Sequence, residues 1–216
     1  MIVNEIITGV IAIIIGYLLG SIPSAYIAAR LIKGKDIRRI GGGNVGARNT
    51  FQEVGKGAGI AVGIFDVGKG AAAVAIAQWA LDVPETFVLA VGLAAVVGHI
   101  WPIYLKFSGG NGLATTIGVL AILMPWGLLV VLSITAILTV ITRNPILSLN
   151  IGLISMPLSA WLLEKSGLLV IFSIILLLIL VLHFLPTAMA AIAKARSRDN
   201  LFAELLRRDK DKREER

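Results

Sequence analysis

The sequence predicts an all-α integral membrane protein: seven transmembrane helices, N-terminus outside, C-terminus cytoplasmic, and glycine-rich loops on the cytoplasmic side. Three observations predict it. The 216 residues are 57% apolar and 15% charged, with a mean hydropathy of +0.89, which excludes a soluble domain. The apolar residues fall into runs approaching the ~20 that a helix needs to cross ~30 Å of hydrocarbon. The basic residues are concentrated in some of the intervening loops and missing from others, the pattern that orients membrane helices with their positive loops in the cytoplasm.

The first run, Ile6 to Leu19, follows Glu5, with no base before Arg30 and no clear cleavage site. It reads as a retained span and not a secretory signal. Pro23 is expected to kink it. From Arg30 to Lys56 seven bases face only Asp36 and Glu53, so this loop is assigned to the cytoplasm. The next spans, about 58–81 and 87–105, are joined by Asp82-Val-Pro-Glu85, an acidic turn that belongs outside. The run from Leu113 to Ile141 is either one long span or two short ones. Breaking it at Met124-Pro125 places Arg143 and the tail from Lys194, with nine bases and six acids, in the cytoplasm. The two pieces are short, so the glycine-rich segment before Leu113 is expected to sit in a recess below the headgroups. The last spans run about 145–163 and 168–186, with Glu164-Lys165 outside. Residues 1–193 form the membrane domain and 194–216 a charged tail, whose Leu201, Phe202, Leu205 and Leu206 mark an interfacial helix.

Composition also limits the chemistry. The net charge of +7 points to anionic headgroups or anionic substrates and not to nucleic acid. Without cysteine, disulfides and thiolate chemistry are excluded, and two histidines, His99 and His183, make no multi-histidine metal centre. No metal or cofactor is implied. There is no Ser-His-Asp arrangement and no His-x4-Asp motif, so nucleophilic catalysis by the protein is not supported.

Three groups of residues carry chemistry. Gly41-Gly-Gly-Asn44-Val-Gly46-Ala-Arg48-Asn49 offers backbone N–H groups that approach an anion closely, with Asn44, Arg48 and Asn49 as side-chain donors. Read from the residues alone, these glycines either cradle a phosphate or simply permit tight turns and helix packing. Their spacing is not that of an ATP-binding phosphate loop. A second nest, Gly109-Gly110-Asn111-Gly112, opens onto a helix beginning near Leu113 with Thr115 and Thr116 in its first turn. Before it, His99 in Gly98-His99-Ile-Trp-Pro102 reads as a helix-end histidine satisfied by backbone, and Trp101 and Trp126 as interfacial anchors. The third group, Asp66, Lys69 and His183, lies at or near membrane depth. Asp66 and Lys69 share a helix face and either pair with each other or line a polar cavity.

In this order the segments resemble the bacterial acyl-phosphate-dependent glycerol-3-phosphate acyltransferases. The likeness rests on Gly20-Ser-Ile-Pro23, the Gly-Gly-Asn-Val-Gly-Ala-Arg-Asn block, Asp66-x-x-Lys69-Gly70, and Gly98-His99-x-x-Pro102 through Phe107-x-Gly-Gly-x-Gly-x-Ala-Thr115. The resemblance implies transfer of a fatty acyl group from acyl phosphate to the sn-1 hydroxyl of glycerol 3-phosphate, in a bacterial cytoplasmic membrane, without coenzyme A or acyl carrier protein. It implies acyl phosphate, glycerol 3-phosphate and membrane lipids as partners, and contact with other enzymes of lipid synthesis. It implies catalytic roles for Asn44, Arg48, Asn49, Lys69, Thr115 and His183. Phosphate binding falls to Gly42, Gly43, Gly46, Gly109, Gly110, Asn111 and Gly112. The chain departs from the family at Gly42 (usually Ser), Arg48 (Thr), Gln52 (Arg), Asn111 (Lys) and Pro186 (Asn). Two cations are lost and one gained, so the alternatives are another phosphorylated acceptor or a protein that binds lipid phosphate without turnover.

Overall fold

A computed structural model describes residues 2–186, 189 and 193, and all the secondary structure in it is helical. The described residues up to Leu180 form one compact unit, and those from Val181 onward belong to a second. The charged tail 194–216 and its expected interfacial helix lie outside the described residues.

The chain runs through α1 (Ile2–Ser21), α2 (Ser24–Lys33), α3 (Ala47–Glu53), α4 (Lys56–Ala75), α5 (Glu85–Ile100), α6 (Leu113–Leu123), α7 (Pro125–Thr142), α8 (Pro145–Leu153), α9 (Met156–Leu162) and α10 (Gly167–Pro186). Pro23 separates α1 from α2, as its missing N–H and fixed φ predict. The expected break at Met124-Pro125 is present, with Pro125 opening α7. A further break departs from the sequence expectation. The predicted span 145–163 bends by 44° between α8 and α9. Pro157, in the first turn of α9, has no N–H to donate, and its ring would meet the Leu153 carbonyl in a continuous helix.

By length and composition five helices can cross a membrane, or six if α8 and α9 count as one span. The expectation of seven is therefore not met in full. The shortfall is α6, whose 11 residues reach only about 16 Å. The turns expected outside do share one end: the Gly127 N–H donates to Glu164 at 3.2 Å. There, a cavity of about 380 Å³ is lined by Gln78, Asp82, Glu85, Leu123 and Leu169, among others.

The core is centred on α5, whose Val88, Val91, Val96 and Ile100 are buried with Val119, Leu120, Met124, Phe172 and Leu176. Close helix approach replaces bulky packing where glycine allows it. α1 lies against α5 so tightly that a Cβ at Gly20 would collide with the Ala95 carbonyl, and one at Gly118 of α6 would collide with the Val67 carbonyl of α4. Gly20→Ala is expected to destabilise the protein by about 1–3 kcal/mol through overpacking, which a thermal melt in detergent will register.

Outside the spans, Asp36 caps a short turn. Its carboxylate accepts from the Arg38 backbone N–H at 3.0 Å and pairs with the Arg38 guanidinium at 2.7 Å. The Arg38 hydrogen bond holds the Asp36 carboxyl down at about 2, against partial desolvation.

Candidate functional site

The two glycine-rich segments, more than sixty residues apart in sequence, meet in space. In the first, Gly41 and Gly43 adopt positive φ (+57° and +71°), so the chain doubles back before α3. Asn49 locks that turn. Buried to 4% exposure, its Nδ2 donates toward the carbonyls of Ile37 (3.3 Å), Ile40 (3.1 Å) and Asn44 (3.0 Å), and its Oδ1 accepts from the Gly42 N–H at 3.1 Å. In the second segment the Gly109 N–H donates to Ile100 O and the Gly110 N–H to His99 O, both at 3.1 Å, stitching the loop to the end of α5. The loops touch at Gly110, where a Cβ would collide with both the Val45 carbonyl and the His99 Nε2.

Between them lies a cavity of about 240 Å³. Its polar wall comprises Asn44, Gly46, Arg48, Asp66, His99, Asn111 and Gly112; its apolar wall includes Leu113, Ile117, Pro145, Ile146 and Leu149. Gly112, in the left-handed conformation (φ +78°), starts α6 without a side-chain cap. The first N–H groups of α6 therefore point out of the helix with no intrahelical acceptor, and they carry its positive dipole end. Gly46 starts α3 on the facing side, also without a side-chain cap. Arg48 is exposed in the first turn of α3 and makes no ion pair or hydrogen bond among the described residues. The α6 N-terminus and one free guanidinium around a small cavity suit a phosphate.

Asp66 and His99 extend from this wall into a buried ionic cluster. Asp66 and Lys69, 1% and 4% exposed at their side chains, pair at 2.8 Å on one face of α4. The same Asp66 Oδ1 accepts from Ser24 Oγ at 2.7 Å and lies 3.7 Å from His99 Nδ1. Lys69 Nζ also donates to the Ile22 carbonyl at 2.9 Å, where the chain passes from α1 to α2. The ammonium is thus compensated twice, as a charge at membrane depth must be.

This arrangement divides the residues expected at the site. Asn44, Arg48, Gly46, Asn111 and Gly112 do line the cavity. Gly42, Gly43, Gly109 and Gly110 do not offer their N–H groups to it, because those donors bond to Asn49, Ile40 O, Ile100 O and His99 O. Asn49 is committed to the loop. Lys69 faces the α1–α2 junction, and Thr115, fully buried, packs its carbonyl and methyl against Gly70 while its Oγ1 has no hydrogen-bond partner among the described residues. These three stand behind the wall and not in it. His183 belongs to the second unit, its ring edge-on to Phe184 with centroids 5.6 Å apart.

Sequence reasoning underrated Asp66 and His99 and missed Ser24 and the α8 residues. A carboxylate and a lysine three apart inside an apolar helix was the available signal for Asp66. Ser24 carried none, because its partner is 42 residues away.

Known proteins are similar along most of the chain. The model of the glycerol-3-phosphate acyltransferase family matches residues 10–193. Glycerol-3-phosphate acyltransferase 1 of Dehalococcoides mccartyi (strain ATCC BAA-2266 / KCTC 15142 / 195) is 42% identical over 198 residues, spanning 89% of this chain and 95% of the relative. The glycerol-3-phosphate acyltransferase of Endomicrobium trichonymphae is 42% identical over 172 residues, spanning 80% and 86%. Among solved structures, PlsY (YgiH), an integral membrane glycerol 3-phosphate acyltransferase, superposes in its glycerol 3-phosphate form with a TM-score of 0.78 and 28% identity. That match covers 86% of this chain and 92% of PlsY. The lysophosphatidic acid form of PlsY gives 0.74 and 26% over the same shares.

Proposed function

Because this chain belongs to the glycerol-3-phosphate acyltransferase family, we propose that it acylates the sn-1 hydroxyl of glycerol 3-phosphate from an acyl phosphate, releasing lysophosphatidic acid and phosphate. One observation carries the reading: the uncapped N-terminus of α6 and the free Arg48 converge on a cavity whose other wall is apolar. The polar side suits the phosphates, and the wall from α6 and α8 suits an alkyl chain reaching in from the bilayer. Relatives named glycerol-3-phosphate acyltransferase, and the similar fold of PlsY in its glycerol 3-phosphate and lysophosphatidic acid forms, support it.

An acyl phosphate is already an activated mixed anhydride, so the site needs no nucleophile of its own. The acceptor hydroxyl oxygen forms the ester bond as the acyl-to-phosphate C–O bond breaks. Inorganic phosphate leaves with the electron pair, and the hydroxyl proton ends on it. The free N–H groups at the start of α6 stabilise the developing oxyanion, and holding both substrates in one cavity supplies proximity. Arg48, Asn44 and Asn111 bind phosphate, while Asn49 and Thr115 act by fixing the loop and helix that present them. Within this reading α6 is a short seventh span set in a recess. The N-terminus is outside, the glycine-rich loops and the C-terminus face the cytoplasm, and the protein lies in the bacterial inner membrane.

Purified protein in nanodiscs, given a long-chain acyl phosphate and glycerol 3-phosphate, is expected to form lysophosphatidic acid and phosphate in equal amounts. Acyl-phosphate binding without acceptor-dependent phosphate release would overturn the reading and favour a binding protein.

A further inference from the structure

α4 carries both glycine-rich loops on one face. Toward its start, Gly59 takes the backbone of Phe51 so closely that a Cβ would collide, and a Cβ at Gly63 would touch the Ala47 methyl at 3.5 Å. Those contacts seat α3, and with it the first loop. One turn past the middle, Gly70 receives the Thr115 carbonyl with no room for a Cβ, which seats the start of α6 and the second loop. Gly59, Gly63, Asp66 and Gly70 follow spacings of four, three and four, so they fall on one stripe of the helix. The two docking points, Gly63 and Gly70, stand about 10 Å apart along the axis.

Asp66 sits between those docking points and is the polar centre of the stripe. It lines the cavity while its Oδ1 takes Ser24 Oγ at 2.7 Å and Lys69 at 2.8 Å. His99, 3.7 Å from Oδ1, supports the point where the loops touch, with its Nε2 against Gly110. Lys69 and Ser24 together tie this centre to the kink between α1 and α2, through Ile22 O and the first residue of α2. A water-sized recess lined by Ser21, Ser24, Lys69, His99 and Gly109 adjoins it.

We propose that Ser24 and Asp66 are positioning residues: together they hold α4 as a ruler that sets the distance between the two glycine-rich loops. This rests on the acyltransferase reading, in which residues of both loops bind phosphate in the one cavity between them. The phosphate-binding side chains, Asn44 and Arg48 on the first segment and Asn111 on the second, line the cavity without a hydrogen bond to Ser24 among the described residues. Loss of the Ser24 hydroxyl therefore leaves each substrate's binding intact and disturbs their mutual placement, on which the chemical step depends steeply.

The test is Ser24→Ala in purified, nanodisc-held protein, with kcat and both KM values measured beside a thermal melt. Ser24 is only half-buried, so the variant keeps its fold. The expected result is a fall in kcat of roughly 10- to 100-fold, with both KM values within about threefold of wild type. A second variant, Asp66→Asn with Lys69→Met, removes the pair without leaving a lone charge and is expected to show the same split. Adding Ser24→Ala to it is expected to cost nothing further, because the hydroxyl acts through the carboxylate. A wild-type kcat in Ser24→Ala, or a loss confined to the KM of one substrate, would overturn the positioning role alone. A wild-type protein without turnover would overturn the acyltransferase reading and this inference together.

Discussion

Asp66→Ala is expected to destabilise the folded protein by about 3–5 kcal/mol, the cost of leaving one member of a buried ion pair without its partner. The Lys69 ammonium, 4% exposed, would keep only the Ile22 carbonyl as a partner among the described residues. A single neutral acceptor does not offset the desolvation of a full charge at membrane depth. Lys69→Met in the same chain is expected to recover most of the loss, since a pair replaced by apolar groups of similar volume is often close to neutral. Equilibrium unfolding in mixed micelles of the wild type, both single variants and the double variant closes the thermodynamic cycle. A double variant as unstable as Asp66→Ala alone would mean that Ser24 and helix packing, and not the ion pair, hold this region together.

That cycle also marks where sequence reading reaches its limit. Asp66 and Lys69 were legible as a pair because both lie on one helix, and helical periodicity alone brings them together. The breaks at Pro23 and at Met124-Pro125 were legible for the same local reason, since proline acts on its own backbone. The bend at Ser155 escapes the same reasoning, because proline is common inside membrane helices and often only kinks them. The glycines misled in a more instructive way. Gly46 and Gly112 do line the cavity, but a glycine's N–H is directed by contacts made across the fold. Gly109 and Gly110 spend theirs on the end of α5, and Gly42 spends its own on Asn49. Gly110→Leu would therefore drive a side chain into the Val45 carbonyl and His99 and disturb the fold, not simply block a nest. Ser24 and the α8 wall were invisible because each joins the site through contacts between distant segments.

Arg48→Ala is expected to lower kcat/KM by roughly 10- to 100-fold with an unchanged melting temperature. The first number follows from losing a charge-assisted contact to phosphate, worth about 1.5–3 kcal/mol. The second follows from the structure, where Arg48 is exposed and bonded to no other side chain among the described residues. Arg48→Lys is expected to fall between the two, retaining the charge and losing the bidentate fork. Which KM rises identifies the phosphate that Arg48 holds: that of glycerol 3-phosphate if α3 serves the acceptor, that of the acyl donor if it serves the other substrate. Asn111 supplies the complementary experiment, because it lines the same cavity from the opposite loop and has no charge. Adding Asn111→Lys to the Arg48→Ala chain is expected to restore a substantial part of the lost kcat/KM if the cavity needs a cation but not a cation at one particular atom. Failure of that rescue, with the fold intact, would show that the direction of the guanidinium from α3 matters as well as its charge, and would make Arg48 a geometric element of the site in addition to an electrostatic one.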